Sequence, residues 1–405
     1  MFKEVFKDTL ISIFIITFIL FLAGAIYGDE DLNSDDSLSV IQDDTIENDS
    51  FPMAPDARIE DLYFSLDSFG WTSGNAYPYF LTPSFRYDGD NLVINTQNLG
   101  EYGRWCNDYV NFPEGWLGVD SLFRAQFYVS TNQTNISRVP DIRFFMANVS
   151  GQLNFAYGVN SYNGAYSAPT GTPKMYEAFF VPHESNLTPG MSFIYGIETA
   201  NFNFYEPDAG EIYLSRVVLD RIDLPTLTFT NIRDFQLDTW RFVSYPTFSA
   251  PTPTKSPSRL GLKALNNFDT YGLFRGEGDS VPFEADGNGD PYIYRASFYI
   301  STDVTDPAKV PLFRLSLQQI SGREGAILAV ASISGSDSAP TPLGAGYDVY
   351  FKPPIEEVTT APIGERVVIP TFELLNILND DEPQGTIYLY GAKIDRISQS
   401  DLPVF

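Results

Sequence analysis

The chain has 405 residues, 43% of them apolar and 15% aromatic, enough to bury the cores of two or three ordinary domains. Its formal charge of −27 repels nucleic acid and anionic lipid headgroups, which sets both aside as partners of the folded part. A single cysteine, Cys106, allows no intrachain disulfide. A single histidine, His183, removes most His-based catalysis, and no motif surrounds either residue.

From Thr9 to Gly28 the chain carries no charge, which predicts an N-terminal hydrophobic helix within residues 1–28. Two readings of it stay open. It is a signal peptide cut near Ala23-Gly24-Ala25, or a membrane anchor that remains. Lys3 and Lys7 precede the run and Asp29-Glu30-Asp31 follows it, so the rest of the chain is expected outside the cytoplasm, secreted or held at the cell surface. Residues 29–56 are acidic and rich in Ser, Asp and Asn, as suits a flexible linker.

Beyond the linker the sequence repeats itself. "LFRAQFYVST" from Leu122 returns as "IYRASFYIST" from Ile293, an offset of 171 residues with six of ten positions identical. At the same offset Val139-Pro140 matches Val310-Pro311, Arg143 matches Arg314 and Tyr176 matches Tyr347. Later the offset is 175, where "GEIYL" at Gly210 meets "GTIYL" at Gly385 and "DRI" at Asp220 meets "DRI" at Asp395. A register held that long marks a duplicated domain, with repeats expected at 57–225 and 226–405.

Both copies read as all-β. Phe123, Ala125, Phe127 and Val129 alternate with Arg124, Gln126, Tyr128 and Ser130. Tyr294, Ala296, Phe298 and Ile300 alternate in the same way with Arg295, Ser297, Tyr299 and Ser301. Period-two patterns between Gly, Pro, Asn and Ser punctuation predict two tandem β-sandwiches in a fixed relation, since few residues separate them. The proline-rich stretch Pro246–Arg259 reads as a surface loop.

Two constellations could bind something. Trp71, Tyr77, Tyr79, Trp105 and Trp116 gather in the first repeat, near Asn75, Asn107 and Asp108. Exposed rings stack on the C–H faces of sugars while amides and carboxylates bond the hydroxyls; large rings also serve as core anchors. In "EADGNGDP", Asp286, Asn288 and Asp290 alternate as calcium ligands do on a glycine loop. Pro291 and Ser297 stand where an EF-hand needs Gly and Glu, and an Asn-Gly-type turn explains the stretch equally.

The closing strands "GEIYLSRVVLDRIDLP" and "GTIYLYGAKIDRISQSDLP" resemble the last strand of galactose-binding-like jelly-roll domains, a superfamily that includes many carbohydrate-binding modules. The resemblance implies a jelly-roll β-sandwich with a possible glycan or small-ligand face. The family's Asp after this strand's "IYL" is replaced by Ser215 and Tyr390. The sequence thus predicts an exported, non-enzymatic protein: a structural or adhesive protein that self-associates at a surface. The alternative is a carbohydrate-binding module pair acting through the first repeat's aromatics. A secreted hydrolase is the third reading, without a pair of carboxylates to support it.

Overall fold

A computed structural model describes residues 62–63, 69–71, 83–89, 91–95, 101–107, 110–111, 121–148, 153–159, 167–181, 192–201, 210–224, 227–243, 251–263, 270–306, 310–319, 324–330, 339–376 and 385–402. The N-terminal hydrophobic segment and the acidic linker lie outside the described residues. Among the described residues no helix is long and apolar enough to cross a membrane.

The strands of the first repeat are β1 (Leu62–Tyr63), β2 (Phe69–Trp71), β3 (Ser84–Asp88), β4 (Asn91–Asn95), β5 (Glu101–Asn107), β6 (Val110–Asn111), β7 (Ser121–Thr131), β8 (Asp141–Asn148), β9 (Leu153–Val159), β10 (Lys174–Phe180), β11 (Ser192–Asn201) and β12 (Glu211–Asp223). The second repeat supplies β13 (Thr230–Asp234), β14 (Arg241–Val243), β15 (Thr252–Ser256), β16 (Arg259–Lys263), β17 (Thr270–Arg275), β18 (Val281–Pro282), β19 (Ile293–Thr302), β20 (Leu312–Gln319), β21 (Glu324–Val330), β22 (Ala345–Phe351), β23 (Val367–Asn376) and β24 (Thr386–Ile397). One short helix, α1 (Ile355–Thr359), is the longest helical element among the described residues.

Each repeat has its own outer sheet, β10-β7-β12-β4-β3 in the first and β15-β16-β24-β19-β22 in the second. The inner sheets are not separate. They join into one 12-stranded sheet, ten of its strands in the order β14-β17-β23-β20-β21-β9-β8-β11-β5-β2, with β18 paired to β23 and β6 to β11. Read from its centre, this order is the same in both directions once each strand is matched to its counterpart at the repeat offset. The central pair, β9 and β21, is antiparallel and runs from Leu153↔Val330 to Val159↔Glu324, with Ala156 opposite Ile327 at its middle. Ala156 and Ile327 are themselves counterparts. The junction is therefore a pseudo-two-fold contact of the isologous kind, in which the same edge of each repeat pairs with itself. Exposed edges are a liability in β-proteins, and here each repeat covers the other's.

The sequence alternation produces the core directly. Phe127 and Val129 of β7, Phe298 and Ile300 of β19, and Leu214 and Leu389 of the closing strands are buried between the outer and inner sheets. A smaller cluster at the junction joins Leu122, Phe179 and Ile222 to their counterparts Ile293, Tyr350 and Ile397. Lys174 bonds Glu356 at 2.7 Å and Lys352 bonds Glu177, tying the two repeats on their outer side.

The positions that repeat most strictly have structural work. Thr131 and Thr302 end the duplicated strand by donating to the carbonyls of Glu211 and Thr386, at 2.8 and 2.9 Å. The next residues, Asn132 and Asp303, accept from the N–H groups of Glu211 and Thr386 at 2.8 and 2.6 Å. Those side chains occupy the space that a Cβ would need at Gly210 and Gly385, whose φ values of +77° and +70° also favour glycine. The matched arginines form cross-strand ion pairs: Arg124 with Asp220, Arg295 with Asp395, Arg143 with Glu198 and Arg314 with Glu373.

One expectation about organisation changes. Pro246–Arg259 is not all loop: Thr252–Ser256 forms the edge strand β15, paired with β16 from Thr252↔Lys263 to Ser256↔Arg259. Edge strands tolerate proline because one row of their N–H groups has no partner to lose.

A tyrosine face as the candidate functional site

Successive residues of a strand point to opposite sides of its sheet. In β24, Ile387 and Leu389 enter the core, so Tyr388 and Tyr390 share the outer face. On β19 the core residues Phe298 and Ile300 flank Tyr299, which stands directly across from Tyr390. On the other side, Arg259 of β16 is opposite Tyr390 as well. Tyr299, Tyr390 and Arg259 thus form a row across three strands, roughly 10 Å from end to end at the usual strand spacing, with Tyr388 beside it. Opposite Phe298 the strand β24 bulges, with Gly391 (φ +50°) and Ala392 facing one residue of β19 between the Ser297↔Lys393 and Tyr299↔Tyr390 pairs.

Glycines make room for the rings. A Cβ at Gly261 would lie 2.9 Å from the Tyr388 ring, so the missing side chain lets that ring settle on β16. Gly344, at φ +88°, does the same under Tyr299, whose hydroxyl donates to the Leu343 carbonyl at 2.5 Å. Tyr299 is 46% exposed, and Tyr388 and Tyr390 are half-buried with ring centroids 6.3 Å apart. Their two hydroxyls bond no protein group among the described residues. The Arg259 guanidinium lies 3.6 Å above the Tyr388 ring and 5.3 Å from that of Tyr390.

The same place in the first repeat is closed. Tyr213 stands for Tyr388, but its hydroxyl donates to Glu211 at 2.5 Å, and Arg86 pairs with the same carboxylate. Arg86, and after it Tyr213, hold the Glu211 carboxyl below its ordinary range. Ser215 stands for Tyr390, so the row of rings is interrupted there, and Arg216 lies 5.4 Å from Tyr128, the counterpart of Tyr299.

The residues singled out from sequence fare differently. Trp105 is fully buried: its ring lies over Gly103 within the core of the first sandwich, so it offers no face to a ligand. This corrects its place among the candidate binding aromatics. Trp71 pairs with Trp105 along β2 and β5, and its side chain lies outside the described residues, as do Tyr77, Tyr79, Trp116 and His183. Asp286 builds a turn. One carboxylate oxygen accepts the N–H groups of Asn288 and Asp290 at 2.9 and 3.1 Å, and the other accepts the Ser398 hydroxyl. The Asp286 carboxylate thus takes part in the turn, and among the described residues no group of three His, Cys, Asp or Glu is placed to hold a metal. No sequence signal alone pointed to Arg259, which reaches the tyrosines only through strand order.

No family model matches the chain, and no curated protein matches it. Solved structures to which it is similar include carbohydrate-binding modules and plant receptor ectodomains. A xylan-binding module CBM15 is 10% identical, with 40% of this chain and 97% of that one covered at a TM-score of 0.27. The N-terminal CBM22-1-CBM22-2 tandem domain from Paenibacillus barcinonensis Xyn10C is 11% identical, with 86% and 99% covered at a TM-score of 0.26. The ANXUR2 extracellular domain from Arabidopsis thaliana is 9% identical, with 83% and 92% covered at a TM-score of 0.22. Overlaps of that size carry no function, and the all-β sandwich assignment rests on the strand order itself.

Proposed function

We propose that the chain is a non-catalytic glycan-binding protein that takes a saccharide on the outer face of its second repeat. The observation that carries this reading is the set of Tyr299, Tyr388 and Tyr390 on one solvent-facing surface, with two hydroxyls that bond no other described residue. Tyr299 and Tyr390 so placed offer π-faces to sugar C–H groups, and the hydroxyls of Tyr388 and Tyr390 are left for its polar edge. The first repeat, closed by Arg86, Glu211 and Tyr213, holds the second by its edge rather than binding alongside it. The uncharged Thr9–Gly28 segment, read either as a signal peptide or as an anchor, supports an extracytoplasmic site. The continuous sheet also suits a structural role at a surface, but the open tyrosine face favours binding.

The test is a polysaccharide panel probed with the full chain beside Tyr388→Ala and Tyr390→Ala. Each ring should be worth about 1 kcal/mol, several-fold in affinity, with the melting temperature little changed. Retention of at least one glycan, weakened by both substitutions, supports the reading. Binding that neither substitution weakens, or no binding across the panel, overturns it.

A further inference from the structure

The tyrosine face differs from its counterpart in charge as well as in openness. On β16, Arg259, Gly261 and Lys263 point to the outer side, because Leu260 and Leu262 enter the core. Arg259 lies against Tyr388 and Tyr390, and Lys263 stands opposite Thr386 at the other end of the strand. Neither cation pairs with a carboxylate among the described residues, and the Arg259 Nε is buried without a hydrogen-bond partner. In the first repeat the matching strand β4 carries Asn91 and Asn95 at these two places, and Glu211 where the second repeat has Thr386. Between the copies two amides have become cations and a carboxylate has become a hydroxyl. That happens in a chain of net charge −27, where an unneutralised cationic face is not a by-product of composition.

A guanidinium stacked flat on a tyrosine keeps its N–H edge in the plane, available for two parallel bonds to a carboxylate or sulfate. Stacking also fixes the side chain beforehand, so little freedom is lost on binding. We propose that the second repeat recognises an acidic saccharide, with its carboxylate or sulfate held by Arg259 over the Tyr388 ring, Lys263 in support, and its sugar ring on Tyr390 and Tyr299. This rests on the glycan-binding reading and adds the class of sugar and a specificity-determining residue.

The experiment measures affinity of the full chain for three probes: a polyuronate oligosaccharide, the same oligosaccharide with its carboxyls reduced to alcohols, and a sulfated glycosaminoglycan oligosaccharide. Each is repeated with Arg259→Gln, Lys263→Gln and Tyr388→Ala, with melting curves to confirm that the variants remain folded. A charge-assisted pair predicts roughly tenfold or more preference for an anionic probe over the reduced one. Arg259→Gln should erase that preference, and added salt should weaken it. Preference for the uronate or for the sulfated probe identifies which anion is read, and either supports the proposal. Equal binding of charged and reduced probes, lost in Tyr388→Ala but unchanged in Arg259→Gln, overturns the anion inference while glycan binding stands. Silence with all three overturns it too, and the broader panel then decides the glycan reading by itself.

Discussion

Removing the carboxylate of Asp395 should be among the most damaging single changes in the second sandwich. Its side chain is 2% exposed and accepts from Arg295 at 2.6 Å and from Lys393 at 3.1 Å. In Asp395→Ala, Lys393 turns to solvent at little cost because it is already 40% exposed. Arg295 cannot, since only 19% of its side chain reaches solvent and its guanidinium is packed 3.9 Å above the Phe229 ring. Breaking a buried pair from one side costs about 3–5 kcal/mol. The Asp348 carboxylate and the Tyr350 hydroxyl still act on the guanidinium, which places the cost at the low end, about 3 kcal/mol. Denaturant unfolding with unchanged m-value would measure it. The double variant Arg295→Met with Asp395→Leu supplies the control, because apolar groups of similar volume replace such a pair with little change. A single variant within 1 kcal/mol of wild type, or a double variant worse than the single, would refute the claim that the cost comes from an orphaned buried cation.

Three further outcomes follow from other parts of the fold. Ile327→Pro removes an N–H from a strand bonded on both sides, so it should cost about 3 kcal/mol or more and split the thermal transition in two; a single transition would mean that the joined sheet does not couple the repeats. Gly261→Val restores the first-repeat residue Val93 at the place where a Cβ would stand 2.9 Å from Tyr388; glycan affinity should fall about tenfold with modest loss of stability, and unaltered affinity would remove Tyr388 from the site. The Asp286 carboxyl is held below its ordinary 3.8, chiefly by the Ser398 hydroxyl, with backbone N–H groups contributing. A lowered carboxyl stabilises the fold above its unfolded value, and that contribution is lost as pH falls through the folded one. Amide protection factors near Ser398–Asp401, taken relative to intrinsic exchange at each pH, should therefore fall below about pH 4 in wild type, while Asp286→Asn should be less protected already at neutral pH.

The parts of this fold that were legible in sequence are those fixed by short-range rules. Phe123 to Ser130 and Tyr294 to Ser301 alternate in twos because each strand has a wet and a dry side. Their repetition at one offset revealed the duplication without any knowledge of its geometry. Pro253 hid β15, since proline argues against a strand except at an edge, and edges are defined only by the finished sheet. Trp105 misled in the opposite way. A large ring near polar residues reads as a ligand platform, yet Gly103, two residues before it on the same strand, leaves a hollow that the indole fills from inside. The tyrosine face was half visible. Tyr299 fell on the solvent side of its alternation, and Tyr390 stood out as the departure from the family's Asp. Arg259 could not be joined to them, because about 130 residues of chain separate it from Tyr390 and only the adjacency of β16 and β24 closes that distance.

Duplication and site are connected through the edges. The pairing of β9 with β21 covers one inner-sheet edge in both copies at once, leaving β14 and β2 as the outer ends. The contact uses the same edge twice, so neither copy had to change its core to form it, and the matched ion pairs and Thr-Asn and Thr-Asp caps remain in both. What diverged is the face away from that contact. In the first repeat Arg86, Glu211 and Tyr213 satisfy one another, so a ligand arriving there would have to displace an ion pair and a hydrogen bond before making its own. In the second, Thr386 replaces the carboxylate, and the tyrosines lose the partner that would have held them. Arg259 then stacks on rings whose hydroxyls stay available, and the free energy of binding is not spent on breaking internal contacts. A face built from the same strands at the same register thus carries internally paired side chains in one copy and tyrosine hydroxyls without a described partner in the other.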